Sequence, residues 1–350
     1  MNHSRARFLR LLLGMAASVY AGRARASSAD LPSALQSAIG RYMRSIVALS
    51  HRTGDEQAYD YANRLNDDLA ALAAPVPYGY TALEYRSMCE QTARADLGLV
   101  DQLLDGTITP IRAQSGMQSV FLTSSADATL QPVAFYVPAR AAVPMPMVVL
   151  LHGRPQTETQ LLSNALLQRL AESTGSLLVA PYGRGYYDYR GVALRDVDDA
   201  IDAALKHFNI DPRRQYLAGY SMGGFSVFEV APKRRNFWAA VLCVSGALLG
   251  SDAATVTGML ARTPFYFVTG TDDESIPSQY TVASAMYLKR FDLPVSLYTQ
   301  PKGQHRLVTL TAALERAWQD MHSGTVRSYT ADARAQPVLP LTIPSVSLKP

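Results

Sequence analysis

The sequence predicts an α/β fold with a mostly parallel, doubly wound β-sheet that carries helices on both faces. Between residues 147 and 321, short apolar runs alternate with segments of helical periodicity, a pattern typical of repeated βα units. Before them, at residues 117–137, apolar residues recur with a period of two around a polar centre, which predicts an antiparallel hairpin at the start of the sheet. Residues 31–106 have helical periodicity, so we expect an N-terminal helical extension.

Residues 1–26 have the layout of a secretory signal peptide. They contain five arginines and no acidic residue, with an apolar run at residues 11–21 and the small residues Ala24 and Ala26 behind it. The apolar run is shorter than the ~20 residues that cross a bilayer, and no later stretch is long and uncharged enough to do so. We therefore expect a secreted or periplasmic protein with no membrane span once the signal peptide is removed.

Charge and cysteine content exclude several kinds of function. The whole chain has a net charge of +4, but without the five arginines of residues 1–26 the charge falls to −1, so we do not expect a nucleic-acid partner. No cysteine or histidine cluster has the spacing of metal ligands, and we expect neither a metal nor a cofactor. Cys243 lies in an apolar run typical of a buried strand, so Cys89 and Cys243 are predicted to be free thiols.

Residues 27–112 are predicted to form a helical region. Leu35, Ile39 and Tyr42 recur at helical spacing, and the Pro-Val-Pro-Tyr-Gly segment at residues 75–79 interrupts the helices. We find no motif in this region that carries chemistry. It is either a layer packed on the main domain or a lid over its site, and the apolar stripes favour the packing layer.

Residues 113–324 are predicted to form the main domain. The hairpin strands are expected at residues 120–122 and 133–137, and the later strands at 147–151, 176–181, 215–219, 238–244, 265–269 and 295–299. Helices are expected at 159–172, 194–208, 222–230, 278–290 and 305–321. Residues 325–350 contain four prolines and no periodicity, and we expect an extended or disordered tail.

The strongest functional signal is the sequence Gly219-Tyr220-Ser221-Met222-Gly223, which follows a short apolar run and precedes a helical pattern. In a strand, turn and helix context, Gly-x-Ser-x-Gly places the serine on a tight turn above the sheet, with the backbone N–H of Met222 facing the reacting group. Glycine at both positions permits the turn and close packing of the helix on the strand. The alternative is a loop that contains two glycines by coincidence.

A serine hydroxyl needs a base to accept its proton and a carboxylate to orient that base. In this architecture the order along the chain is Ser, then Asp or Glu, then His. Only His305 and His322 follow Ser221. His305 is predicted to lie just after the last strand, at the start of the last helix, where a loop can bring it over the serine. His322 is predicted at the other end of that helix, so His305 is the candidate base.

Three acidic residues compete for the role of the carboxylate. Asp272, Asp273 and Glu274 all follow the strand predicted at residues 265–269, and the carboxyl end of a parallel strand is where such a group belongs. Asp252, after the preceding strand, is a more distant alternative.

An oxyanion hole requires a second backbone N–H besides that of Met222. His152-Gly153-Arg154 directly follows the strand predicted at residues 147–151, and we assign the second donor to the N–H of Arg154. Glycine at position 153 lets the backbone approach a substrate. The Arg154 side chain is either a solvated surface group or a contact for an anionic part of the substrate.

These motifs together resemble the α/β-hydrolase superfamily, and residues 183–197 and 209–213 are similar to its prolyl-oligopeptidase-like and feruloyl-esterase or polyester-depolymerase-like branches. The resemblance covers residues 116–321. It implies Asp273 as the acid, since in such hydrolases the acid commonly lies four residues before a proline such as Pro277. The sequence after His152-Gly153 lacks the glycine-rich extension that some esterases have.

The resemblance implies a serine hydrolase that cleaves carboxylic esters through an acyl-enzyme on Ser221, with a small-molecule or polymer ester as substrate. One alternative is a serine peptidase of the prolyl-oligopeptidase-like type, but the sequence contains no repeat that would form a propeller domain. A second alternative is a non-catalytic binding protein with the same fold, which would be expected to lack one of the three residues.

Tyrosines are concentrated near the predicted site. Tyr182, Tyr186, Tyr187 and Tyr189 follow the strand predicted at residues 176–181, and Tyr220 precedes the candidate nucleophile. We predict that Tyr182, Tyr186, Tyr187 and Tyr220 line a substrate pocket that suits an aryl or acyl ester. The alternative is a tyrosine-rich loop that packs on itself.

Overall fold

The structure is a computed structural model that describes residues 30–185 and 188–327. The predicted signal peptide, Tyr186, Tyr187 and all but the first residues of the predicted tail lie outside these ranges. The described residues divide into two compact units, one formed by residues 30–75 and 89–108 and the other by residues 76–88 and 109–327.

The first unit is helical, as its apolar spacing predicts. Its helices are α1 (Leu31–Thr53), α2 (Asp55–Ala73) and the larger part of α3 (Ala82–Asp105). Gly54, with a φ of 88°, separates α1 from α2 in a conformation that favours glycine. The apolar side chains of Leu35, Tyr42, Leu65 and Leu99 are buried in this unit.

The second unit contains an eight-stranded sheet. Its strands are β1 (Gly116–Thr123), β2 (Leu130–Val137), β3 (Met145–Leu151), β4 (Leu177–Pro181), β5 (Ile210–Tyr220), β6 (Ala240–Val244), β7 (Phe265–Gly270) and β8 (Val295–Gln300). The order in the sheet is β1-β2-β4-β3-β5-β6-β7-β8. The β1–β2 and β2–β4 pairs are antiparallel, and all other neighbours are parallel. The carboxyl ends of β3 to β8 therefore meet at one edge of the sheet.

Helices cover both faces of this sheet, which confirms the predicted fold class. They are α4 (Glu158–Leu162), α5 (Ala165–Thr174), α6 (Val192–His207), α7 (Met222–Val230), α8 (Gly250–Met259), α9 (Ser278–Arg290) and α10 (Thr311–Ser323). Short 3₁₀ turns occur at Ala231–Lys233 and Leu307–Leu310. One apolar core joins the sheet to α6, α7, α8 and α9, and the other joins it to α4, α5 and α10.

The structure differs from the predicted elements at three helices. The single helix predicted at residues 159–172 is two helices, because the Asn164 side chain accepts a hydrogen bond from the Leu166 N–H and starts a new helix there. The unpredicted helix α8 contains two glycines and weak helix formers, and burial of Val256 compensates for them. The last helix begins at Thr311 rather than 305, so His305 lies in the loop after β8.

The cysteines, the absence of a membrane span and the start of the tail were also predicted from the sequence. Neither Cys89 nor Cys243 forms a disulfide within the described residues, as predicted, and both side chains are buried. Within the described ranges, no helix combines the length and the apolar character that a bilayer span requires. The first residues of the predicted tail, 325–327, are held in place, because the Arg327 N–H donates to Ser296 Oγ and its guanidinium pairs with Asp320.

Candidate active site

Ser221 lies on a sharp turn between β5 and α7, as the Gly-x-Ser-x-Gly pattern predicts. Its φ is 53°, which is strained for a residue with a side chain. A Cβ atom on Gly219 would lie 2.1 Å from the Gly223 carbonyl oxygen, and one on Gly223 would lie 2.1 Å from the Leu151 carbonyl oxygen. The turn therefore requires glycine at both positions, and it presents the Ser221 hydroxyl at the carboxyl edge of the sheet.

His305 lies between Ser221 and an acidic residue. Its Nε2 atom is 2.8 Å from Ser221 Oγ, and its Nδ1 atom is 2.9 Å from Asp273 Oδ2 and 3.0 Å from Asp273 Oδ1. This arrangement fits a neutral imidazole that donates its Nδ1–H to the carboxylate and accepts the hydroxyl proton at Nε2. A proton can pass from Ser221 to His305 without any movement of the backbone.

The Asp273 carboxylate is completely buried, yet its surroundings favour the charged form. Burial by itself raises its pKa, but the hydrogen bonds from His305 and from the Ile276 N–H outweigh burial and hold the pKa below the ordinary 3.8. The Ile276 N–H is 2.7 Å from Oδ1, and the Ser275 N–H is 3.1 Å from the same oxygen. Asp273 is therefore an anion that can orient and stabilise an imidazolium.

The other acidic candidates do not reach the His305 ring. Asp272 is exposed, and its Oδ1 accepts a hydrogen bond from the Thr271 hydroxyl at 2.8 Å. The Glu274 carboxylate accepts from the backbone N–H of His305 at 3.3 Å. Asp252 Oδ2 is 3.7 Å from the Arg190 guanidinium. The structure thus brings Asp273 to the ring and places its neighbour Asp272 in solvent.

The segment His152-Gly153-Arg154 lies against the serine turn. The Gly223 N–H donates to the His152 carbonyl oxygen at 3.0 Å, and a Cβ atom on Gly153 would lie 3.0 Å from Ser221 Cβ. Met222 is the first residue of α7, so its N–H belongs to the group that an α-helix leaves without an intrahelical partner. The two predicted oxyanion donors, the N–H groups of Arg154 and Met222, therefore come from segments that are in contact beside the hydroxyl.

The Arg154 side chain is partly buried and has specific partners. Its Nη2 atom is 2.6 Å from Asp188 Oδ1, and its Nε atom is 3.2 Å from the sulfur of Met222. The guanidinium therefore connects the loop after β3, the loop after β4 and the start of α7.

The described tyrosines of the loop after β4 pack against the segment after β3. Tyr182 is 5% exposed, its ring stacks on His152, and its carbonyl oxygen is 2.6 Å from His152 Nε2. Tyr189 is buried, and its hydroxyl oxygen accepts from the His152 N–H at 2.8 Å. These contacts make the Tyr182 ring a support for the segment after β3, and its predicted place in a substrate pocket stays a prediction. Tyr186 and Tyr187 lie outside the described residues.

Tyr220 positions the histidine loop. Its hydroxyl donates to the His305 carbonyl oxygen at 2.7 Å, and its ring stacks on the imidazole with the centroids 5.2 Å apart. Burial raises the pKa of Tyr220 well above its ordinary value, so the hydroxyl keeps the proton that it donates. These contacts give Tyr220 a supporting position beside His305, and its predicted place in a substrate pocket stays a prediction.

Sequence reasoning missed the contribution of residues 76–88 to this unit. A Cβ atom on Gly79 would lie 2.8 Å from Val308 Cγ1, three residues after His305. The Tyr80 hydroxyl oxygen accepts from Asn164 Nδ2 at 3.4 Å. The Pro-Val-Pro-Tyr-Gly composition indicated a turn but contained no signal for its place in the fold.

The N–H donors of Ser275 and Ile276 to Asp273 were also missed, although an aspartate two residues before a serine is a common turn signal.

No protein-family model matches the chain. A curated protein, the bifunctional acetylxylan esterase/xylanase XynS20E of Neocallimastix patriciarum, is 32% identical to the chain over 149 residues. The match covers 41% of this chain and 22% of that protein, so it spans about a fifth of the relative's length.

Solved structures that resemble the chain include esterases and other serine hydrolases. A ferulic acid esterase aligns with a TM-score of 0.51 and 16% identity, over 60% of this chain and 98% of that one. The fluorophosphonate-binding serine hydrolase FphF of Staphylococcus aureus, with substrate bound, aligns with a TM-score of 0.50 and 17% identity, over 59% of this chain and 99% of that one. These likenesses, together with the strand order, show that the chain has the α/β-hydrolase fold.

Proposed function

We propose that the protein is a carboxylic ester hydrolase that forms an acyl-enzyme on Ser221. The observation that carries the proposal is the position of the His305 ring, with Nε2 2.8 Å from Ser221 Oγ and Nδ1 2.9 Å from Asp273 Oδ2. A nucleophile, a base and a buried anion in this order are the groups that acyl transfer requires. A non-catalytic protein with the same fold would have no need to keep all three in contact.

In the acylation step, Ser221 Oγ attacks the ester carbonyl carbon while His305 Nε2 accepts the hydroxyl proton. The carbonyl oxygen becomes an oxyanion, which the N–H groups of Met222 and Arg154 bind. The imidazolium then gives its proton to the departing alkoxide, the bond between the carbonyl carbon and that oxygen breaks, and an alcohol leaves. Water repeats the sequence on the acyl-enzyme and releases the acid. Asp273 holds the imidazole in the required tautomer and stabilises the imidazolium.

The substrate class is proposed from the relatives. The curated relative is described as an acetylxylan esterase and xylanase, and one structural neighbour is described as a ferulic acid esterase. Both descriptions support an ester of a short or aromatic acid, on a small molecule or on a polymer. We also propose export, which the basic and apolar layout of residues 1–26 supports.

Turnover of p-nitrophenyl acetate and methyl ferulate by the wild type and by Ser221→Ala tests the activity. We expect the substitution to lower kcat by a factor on the order of 10⁴ to 10⁶, since the nucleophile is removed. Ser173→Ala is a matched control, because in the described part of the chain that hydroxyl bonds within its own helix, to the Leu170 carbonyl oxygen at 2.8 Å. Its kcat should equal that of the wild type.

A second assay separates the proposal from its alternatives. Short peptide anilides should release no chromophore at the enzyme concentrations that hydrolyse the esters, whereas a peptidase would show the reverse preference. A fluorophosphonate probe should label the wild type and not Ser221→Ala. Equal ester turnover by the wild type and Ser221→Ala would exclude Ser221 as the nucleophile.

A further inference from the structure

Ser245 lies between the serine turn and the strand that leads to Asp273. It directly follows β6, its side chain is buried, and its backbone N–H donates to the Val268 carbonyl oxygen of β7 at 2.9 Å. One residue earlier, the Val244 carbonyl oxygen accepts from the N–H of Ser221 at 3.0 Å. The backbone around Ser245 thus connects the nucleophile on one side to β7 on the other.

Two features of Ser245 reduce the stability of the fold, which suggests that the residue is kept for a function. Its φ is 45°, in the left-handed region that favours glycine. Its hydroxyl oxygen is buried and makes no hydrogen bond of standard geometry within residues 30–185 and 188–327. Natural proteins rarely retain either feature, and strained or unsatisfied groups are concentrated at functional sites.

The Asp273 carboxylate is the candidate acceptor for this hydroxyl. The Ser245 hydroxyl lies close enough to contribute to the lowered pKa of Asp273. Oδ1 accepts from the N–H groups of Ser275 and Ile276, whereas in the described part of the chain Oδ2 has a short contact with His305 Nδ1 alone. A carboxylate oxygen has two lone pairs, so Oδ2 can take a second donor.

We propose that Ser245 is a positioning residue for the triad acid, whose hydroxyl turns onto Asp273 Oδ2 and donates a hydrogen bond beside the one from His305. This inference rests on the proposed esterase function. The bond fixes the plane of the carboxylate against the imidazole. It also shares the negative charge with a second donor, so the carboxylate attracts the proton of the His305 ring less strongly. Ser245 touches neither the substrate nor the reacting atoms, and it acts through Asp273.

Ser245→Ala and Ser245→Gly both remove the hydroxyl, and the glycine variant also suits the positive φ. In both variants we expect the acidic limb of the pH profile of kcat/KM to move up by about half a pH unit, because the carboxylate that faces His305 becomes a stronger acceptor. Ser176→Ala is the control. That side chain is buried at the amino end of β4, where its hydroxyl contacts Thr174 and His322.

The titration midpoint of the His305 ring, followed by NMR and assigned with His305→Gln, reports the same shift without turnover. This NMR measurement can be made even if the protein hydrolyses no ester. Failure of the proposed function and failure of this inference are therefore distinguishable. A midpoint that rises in both Ser245 variants and not in Ser176→Ala supports the proposal. An unchanged midpoint in the glycine variant overturns it, because a shift in the alanine variant alone would reflect backbone strain. A shift in all three variants overturns it as well. If the alanine variant does not fold, the glycine variant decides.

Discussion

Two buried carboxyl groups, one in each unit of the protein, have pKa values shifted in opposite directions. Asp273 in the second unit is buried beside His305 and two backbone N–H groups, and its pKa is below the ordinary value. Asp68 on α2 in the first unit is also buried, and its pKa lies above the ordinary 3.8 because of burial and of the charge and hydrogen bond of Asp96. Arg64 lowers the pKa of Asp68, but it does not compensate for burial and Asp96.

The difference shows that burial alone does not decide the state of a carboxyl group. Around Asp273 the neighbours are hydrogen-bond donors, and they stabilise the anion more than burial destabilises it. Around Asp68, burial and the neighbouring carboxyl group of Asp96 outweigh the Arg64 guanidinium, and two interacting carboxyl groups favour sharing one proton. An oriented anion can support a catalytic histidine, whereas a protonated carboxyl group in a helical core acts as a neutral hydrogen-bond donor.

The largest effect is expected when the Asp273 anion is removed. Asp273→Asn should lower kcat by a factor of about 10⁴, because an amide at this position favours the wrong tautomer of His305. Asp272→Asn is the matched control. Since its side chain is exposed and away from the ring, it should change kcat by less than about tenfold. Steady-state kinetics on p-nitrophenyl acetate measures both variants. A larger loss of kcat in Asp272→Asn than in Asp273→Asn would show that Asp272, and not Asp273, is the acid.

A smaller effect is expected for Asp68→Asn, which tests the other half of the comparison. Because the folded protein holds the Asp68 proton more tightly than the unfolded chain, stability is lost as the pH rises from the ordinary pKa of 3.8 towards the raised one. The limiting slope for one proton is about 1.4 kcal/mol per pH unit. Asparagine resembles the protonated acid and does not ionise, so the variant should lose less stability over this range.

Amide hydrogen exchange of α2, converted to opening free energies at about pH 5 and pH 8, measures this difference between the wild type and Asp68→Asn. Asp101→Asn is a suitable control, because its carboxylate is exposed and pairs with Arg41. Parallel pH dependence in the wild type and Asp68→Asn would show that Asp68 is ionised in the folded protein.

The smallest effect is expected from loosening His305, the hydrogen-bond donor that keeps Asp273 charged. His305 must stay beside Asp273 to act in this way. Tyr220→Phe keeps the ring that stacks on the imidazole and removes the hydroxyl bonded to the His305 carbonyl oxygen. We expect kcat to fall by about tenfold or less with little change in KM, in line with the loss of one hydrogen bond. Tyr136→Phe removes a hydroxyl bonded to Glu172 and should leave kcat unchanged. Equal kcat values for the wild type and Tyr220→Phe would show that the loop holds His305 without this bond.

Local patterns in the sequence were sufficient for the architecture. Alternating apolar runs and helical periods predicted the parallel strands and the hairpin, since burial on both faces requires continuous apolar strands. Boundaries were predicted less well where a single side chain decides them. Asn164 divides one helix into two by capping the Leu166 N–H, and burial of Val256 stabilises a helix that its own residues disfavour.

For the candidate site, the sequence by itself singled out Ser221 and His305, because the glycines on either side of the serine and the order of the histidines after it depend on the chain alone. The choice among Asp272, Asp273 and Glu274 was open on that basis, since neighbours in a loop have equal access to the strand end. Tertiary structure decided which carboxylate is buried against the ring and surrounded by donors. It alone also showed that the Tyr182 ring stacks on His152 and the Tyr220 ring on His305, because a tyrosine's contacts depend on whether its ring meets solvent or a neighbouring loop.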